Sequence, residues 1–572
     1  MGNVDPFLVT GLFPGSNVQV THATAKQPRS ESAIVVDPHN ANRLLGISKR
    51  FTDPQKYRFT LGPVVSTNGG STWTDLPKLP LVTEQDVYTD PSAAFHTSGE
   101  AMVMGDPGFY QADHPSLYSS LQCASHGQNY DLLSTQMLVF KSADDGAHWG
   151  NGIPVVDVRC TGDDKGWLAC DNAVPTSKKV KKSPYDGRLY AIWGAVTPLR
   201  FARSTDGGDH WTGAGNAAAG ADLTLETVYA PDISIARDGT IHVFWHNLGT
   251  DTVLYLRSKD GGETFEGNGT SGGLPVPRIV VQGLKDLDSG VGTGGISSPH
   301  GWANFEGSNF RVFTLVSACC FGDHGVAVAW ADTTSGHSRI HYRVSYDGGD
   351  NWEGPDAGTP MLPYLSGDSH QFHPQLAATA TGVLGCAIYS YSKTARPGNK
   401  PGIDVLVAGS FDDGVAWDFQ PITDQPWDPA VNAPWAHSDP NVTFIGDYFG
   451  FDAGETEFHV LWTDTRTGNQ DLFYCRVGTQ THRRPDLGEI VATYLSPGVS
   501  RDGGGFIIVG GHVIRIPPWD PLRELLTVAA AISDVSRLTL ADSARARGAL
   551  YDLLISVAQK AKSGLTSGTG GG

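Results

Sequence analysis

The chain has no apolar run long enough to cross a bilayer as a helix. No cysteine pair has the two-residue spacing of a structural zinc site. Basic residues are scarce: 41 Lys and Arg stand against 60 Asp and Glu, a formal charge of −19. Nucleic acid and anionic membrane surfaces require a basic footprint, so neither is expected as a partner. The acidity serves solubility, and a few local Arg residues still suffice to receive an anionic sugar. Met1–Pro6 shows neither the charged start nor the apolar core of a signal peptide. Pro6 also stands where myristoylation requires Ser or Thr. The expected location is secreted or extracytoplasmic, with any leader lying outside this chain. Seven cysteines are present, and the odd number leaves at least one unpaired within a monomer. Cys160 and Cys170 are placed to close a loop in an oxidising compartment, whereas Cys386 and Cys475 read as buried thiols in apolar strands. Two glycosylation sequons begin at Asn268 and Asn441.

What the chain does have is glycine, proline and aromatic residues: 70 Gly, 35 Pro and 10% Phe, Trp and Tyr. This composition suits short strands joined by tight turns, in an all-β propeller or sandwich that counts as one domain despite 572 residues. Within it a phrase recurs six times: Ser, any residue, Asp or Asn, any residue, Gly, two further residues, then Trp or Phe. The copies run Ser66 to Trp73, Ser142 to Trp149, Ser204 to Trp211, Ser258 to Phe265, Ser345 to Trp352 and Ser410 to Trp417. Recurrence at several tens of residues signals a repeat architecture. Short Ser and Asp side chains bond the backbone a few residues on, and Gly supplies positive φ, so the phrase builds a tight turn between strands. Its aromatic is a large apolar plug for packing between neighbouring sheets. The phrase therefore locks turns and does no catalysis.

The phrase closely resembles the Asp-box, or BNR repeat, of the sialidase-like β-propellers. The resemblance implies a propeller fold. It leaves function open, since Asp-boxes also occur in xyloglucanases, sorting receptors, polysaccharide lyases and non-catalytic propellers. Each copy follows strand signals ending in an aromatic, such as Gly239 to Trp245 and Gly325 to Trp330. A further unit, Phe444 to Val477, lacks the phrase. Ser16–His22 is placed to supply that unit's outer strand and close the ring by joining the two ends. Seven blades are expected, with six as the alternative. The expected division is a propeller over 1–480, a linker over 481–519, a helical pair over 520–564 and a flexible end over 565–572. Asp520 and Pro521 open the first helix, and apolar spacing through Leu550, Leu553, Leu554 and Val557 marks the second. The pair packs on the propeller or mediates homo-oligomerisation.

Chemistry is expected where the first strand of each blade enters the central channel. Those starts contain Asp90, Asp164 with Trp167, Asp232, Trp302, His373, and Asp447 with Tyr448. Asp90, Asp164, Asp232, Asp447 and Tyr448 are the candidates for acid–base or nucleophilic work. Arg50, Trp167, Trp302, His373 and Arg466 are the candidates for substrate binding. His370 and His373 lie an odd number of positions apart and face opposite ways on a strand, so they do not share a metal. No cofactor is required, and the acidic strand starts leave room for a structural calcium.

Resemblance to sialidases further implies an Arg triad, a Tyr nucleophile helped by a Glu, and an acid–base Asp. Arg50, Arg58 and Arg466 are the conceivable triad members. The Arg-Ile-Pro motif that the family carries early appears only at Arg515–Pro517, in the linker. Three readings stand: a glycoside hydrolase at the channel mouth, a lyase on uronate sugars, and a non-catalytic propeller that binds glycan or protein. A glycan or other small molecule is the expected partner.

Overall fold

The computed structural model of the chain describes residues 8–479 apart from 81–86, 121–131, 135, 157–163, 174–181, 196, 288–302, 364, 366 and 397–399, together with 481–483, 505–509 and 512–516. Residues Pro14–Gly478 form one compact unit. Its antiparallel strands form seven blades, whose first strands are Arg29–Val36, Val87–Phe95, Trp167–Cys170, Tyr229–Ile235, Ser317–Phe321, His370–Ala378 and Gly450–Ala453. Each of these touches the next in order, and the seventh touches the first, so the sheets close into a ring. The fold is a seven-bladed β-propeller.

Closure uses the segment expected from the sequence. Blade 7 makes three strands from its own stretch of chain, and Val18–Gln19 pairs with the third of them, Val18 opposite Tyr474 and Gln19 opposite Phe473. Joining an early strand to the last blade removes an exposed sheet edge. Blades 3 and 4 are also linked by a single pair, Ala195 with Tyr229. The second strand of most blades ends in a fully buried aromatic, Trp193, Trp245, Trp330 and Trp462 among them. Pro115–Ser120, an insertion in blade 2, is the one α-helix among the described residues.

The repeated phrase has the same geometry in all six copies. The Ser Oγ accepts the N–H of the Gly four residues on, at 2.8–2.9 Å. The Asn or Asp carbonyl or carboxylate oxygen accepts the N–H four residues beyond it, at 2.8–3.0 Å. The Gly is left-handed throughout, and at Gly349 a Cβ would stand 2.3 Å from the Tyr255 hydroxyl, so no side chain fits. The closing aromatic packs on the preceding blade: Trp73 on Tyr474, Phe265 on Phe201, Trp352 on Tyr255 and Trp417 on Tyr342. Turn lock and inter-blade plug are therefore one device.

Residues 1–13 and 479–572 form a second unit. In it Leu8–Thr10 pairs with Thr481–Arg483, and Gly505–Val509 forms a hairpin with His512–Ile516. The stretch 481–519, expected to be a linker, therefore carries strands. The helical pair over 520–564 and the flexible end lie outside the described residues, as does Cys160 of the Cys160–Cys170 loop. Cys386 and Cys475 are fully buried thiols, as their apolar strands imply.

Candidate functional site

The chemistry collects where the first strands begin, and a backbone irregularity delivers it. The pairing register slips between Ser30 and Ser32, Thr89 and Ser92, Tyr229 and Asp232, and Phe372 and Gln375. At or beside these slips Glu31, Asp90, Ala230 and His373 take positive φ, and Lys165 does so just ahead of its strand. A bulge re-aims one side chain out of the normal alternation. Pro91, Pro231 and Pro374 follow three of these residues and remove the ladder donor that regular pairing would need.

Five blades, or the segments leading into them, place charged groups in one buried cluster. The Lys165 Nζ donates to Asp447 Oδ2 at 2.6 Å and to Asp90 Oδ1 at 3.2 Å, and lies 3.5 Å from Glu31 Oε1. Arg311 grips Asp447 with two bonds, Nε to Oδ1 at 3.1 Å and Nη2 to Oδ2 at 2.6 Å. Lys49 pairs with Glu31. Every one of these side chains is at most 6% exposed. Three cations thus face three carboxylates, which is how charges persist out of water.

A fourth carboxyl breaks the balance. Asp164, half-buried, shares a hydrogen bond with Asp90. Burial, then the Asp90 charge, push Asp164 well above the ordinary carboxyl range. Burial works the same way on Asp90, but the Lys165 and Lys49 ammoniums and the Asp164 hydrogen bond outweigh it and hold Asp90 low. Asp447 is likewise held low against burial, by Arg311 and Lys165. Two adjacent carboxyls with pKa values driven apart are an acid and a conjugate base ready-made. Around them stand Tyr448 and the half-buried Trp167, ring centroids 5.2 Å apart, and the half-buried Tyr229. Burial raises the Tyr448 and Tyr229 phenols well above their usual value, so both keep their protons. Oxygens of Asp90, Asp106 and Asp164 lie within 4.8 Å of one another, an oxygen-only set of the kind that suits calcium.

Of the residues singled out in the sequence, Asp90, Asp164, Asp447, Tyr448, Trp167 and His373 meet here. His373 is fully buried, and burial lowers its imidazole to about 3, so it is neutral. His370 stacks on Phe305 instead, so the two histidines do part. Asp232 is not in the cluster: its carboxylate accepts the N–H of Ile233 and, across the blade boundary, of Ala318, each at 2.7 Å. It is an inter-blade clasp, because the bulge puts it two positions past the residue that faces the axis. Arg50 contacts Gln27 at 3.4 Å, Arg58 pairs with Asp113, and Arg466 is held by Asp464 of blade 7 and by Asp424 of the segment leaving blade 6. No Arg triad forms from them. Trp302 lies outside the described residues. Sequence reasoning missed Glu31, Lys49, Lys165, Arg311 and Tyr229. The available signal was a charge embedded in an apolar strand context, as in Phe310-Arg311-Val312-Phe313.

Past the cluster, the same strands line a cavity of about 960 Å³ at the other end of the channel, with Ala94, Ala169, Cys320 and Ala378 in its wall.

No protein-family model and no curated protein sequence matches the chain. Among solved structures it is similar to a protein of unknown function from Dyadobacter fermentans, at 12% identity and TM-score 0.43 over 82% of this chain and all of the other. It is similar to the leech intramolecular trans-sialidase at 14% identity and TM-score 0.39, over 66% of this chain and 67% of that one. It is also similar to the endosialidase of phage phi92 at 12% identity and TM-score 0.41, over 88% and 74%. The likeness is one of fold alone, and the seven blades are established by the sheets of this chain itself.

Proposed function

We propose that the protein is a glycan-acting enzyme, a glycoside hydrolase working where the first strands enter the channel. On this reading the repeated phrase is the Asp-box of a secreted sialidase-like propeller. The observation that carries the proposal is the hydrogen bond between Asp164 and Asp90 beside the half-buried Trp167. Asp164, protonated and half-buried, donates to the glycosidic oxygen. Asp90, kept anionic by Lys165, faces the positive charge that develops on the sugar ring. Once it has given up its proton, Asp164 is the base that takes one back from water. Trp167 and Tyr229 provide flat surfaces for a sugar face.

The arrangement favours a neutral sugar over a sialic or uronic acid. Arg311, the arginine of the cluster, has both arms on Asp447, and the nearby phenols hold their protons too tightly to serve as lyase bases.

The test is a cleavage screen over neutral oligosaccharides, sialosides and uronate polymers, read by product mass and by absorbance of unsaturated ends. Cleavage of a neutral glycan should fall roughly 10²–10⁴-fold in Asp164→Asn, the scale of a lost general acid. In the native protein kcat/KM should fall as pH rises through the Asp164 pKa, which burial places above the usual carboxyl range. Unsaturated products would establish the lyase instead. Silence from a folded protein that still retains glycan on a column would make it a binding propeller.

A further inference from the structure

Blade 4 carries a second convergence of donors that the hydrolase reading does not use. Its second strand, Ile241–Asn247, carries His246 next to its end, the turn into the third strand supplies Asp251, and the segment leaving the blade brings Asp286. One donor atom from each of these lies within 4.8 Å of the others. Asp286 and His246 are buried, and Asp251 is half-buried. His246 is 0% exposed, and apart from a loose contact with the Thr314 backbone neither ring nitrogen makes a well-aligned hydrogen bond among the described residues. Its Nε2 points at the Asp251 carboxylate from 4.0 Å. A fully buried imidazole whose hydrogen bonding is poorly met is costly, and two carboxyls brought together repel each other. A cation among the three answers both costs at once.

We propose that His246, Asp251 and Asp286 bind one divalent cation of the zinc type. The donor set decides the class. An imidazole nitrogen with two carboxylate oxygens matches zinc, whereas calcium takes six to eight oxygens. Three protein donors leave the fourth position of a tetrahedron to water. The ion's place in the fold indicates what it steadies. The backbone N–H of Leu287, next to Asp286, donates to the Thr314 hydroxyl at 2.9 Å, and Arg311 lies three residues before Thr314. Across the sheet, His246 pairs with Tyr229 on the rim of the charged cluster. The cation ties the Arg311 segment and the Tyr229 strand to one point.

The experiment uses the full chain, stripped with a chelator and titrated with Zn²⁺ by calorimetry, with Co²⁺ absorption as a spectroscopic probe. The expected result is one Zn²⁺ per chain, a raised Tm, and Co²⁺ bands of a four-coordinate nitrogen–oxygen site that Zn²⁺ abolishes. Asp251→Asn changes only a half-buried turn residue, so the metal-free variant should unfold as the native chain does. It should weaken Zn²⁺ by more than the roughly 10–100-fold that loss of an outer-shell partner costs. His246→Gln should remove the Co²⁺ bands. Equal Zn²⁺ affinity in the native chain and Asp251→Asn would overturn the proposal. So would a Co²⁺ spectrum that His246→Gln leaves unchanged, or Ca²⁺ binding at this site that Zn²⁺ does not displace.

Discussion

The two ends of the central channel are built by the same seven strands under opposite constraints. Where the strands begin, bulges turn Glu31, Asp90 and His373 toward the axis, and Lys49, Lys165 and Arg311 meet the carboxylates with almost no access to water. Where they end, small side chains such as Ala94 and Ala378 border a cavity of about 960 Å³. A buried charge must be paired, so one end is a set of mutually dependent contacts. The half-buried Ala378 beside that open space has few partners to lose. Ionisable groups therefore concentrate at the end where each controls the protonation of its neighbours. Between the two, Asp232 and Asp452 stitch adjacent blades through backbone N–H groups.

This contrast can be broken most forcefully at Lys165. Lys165→Met removes the shared partner of Asp90, Asp447 and Glu31, and breaking a buried pair costs about 3–5 kcal/mol. Urea unfolding should show that loss, and a change under about 1 kcal/mol would mean that the charges do not depend on one another. The clasps give the next largest effect. Burial pushes the Asp232 and Asp452 carboxyls up to about 6 from 3.8, against the backbone hydrogen bonds that lower them. The folded chain then binds these protons more tightly than the unfolded chain. Their stabilisation is full below pH 4 and is lost as pH rises through 6, by up to about 3 kcal/mol each. Urea midpoints between pH 4 and 7 check the slope, and a stability that climbs over that window would refute it. The smallest effect is expected at the open end, where Ala378→Val should stay within about 0.5 kcal/mol. A larger loss there would erase the distinction between the two ends.

The repeated phrase was legible because its physics is local. In every copy the Ser and Asp or Asn side chains bond backbone no more than four residues away, so eight residues contain the whole device. The ring's closure was legible for a related reason: a last blade with only three strands of its own needs a fourth, and Val18–Gln19 supplies it. Part of the site was legible as acids and aromatics at strand starts, namely Asp90, Asp164, Asp447, Tyr448 and Trp167. Asp232 shows where that rule stops. It follows Pro231 at the start of a strand much as Asp90 precedes Pro91, yet the difference of two positions across a bulge turns one to the axis and the other to the next blade.

From the sequence alone came the all-β class, the repeat, the seven blades and the strand that closes them, because each follows from contacts between near neighbours or from counting strands. The identity of the charged cluster came only from the tertiary structure. Lys165 meets Asp447 across 282 positions, and the Asp447 N–H meets Glu31 across 416. Arg466, attractive as a free cation in the sequence, is held by Asp464 two residues away, while Arg311, hidden in an apolar stretch ahead of a strand, reaches the centre. Which carboxyl keeps its proton depends on burial and on charges contributed by other blades. Those quantities exist only once the ring has closed.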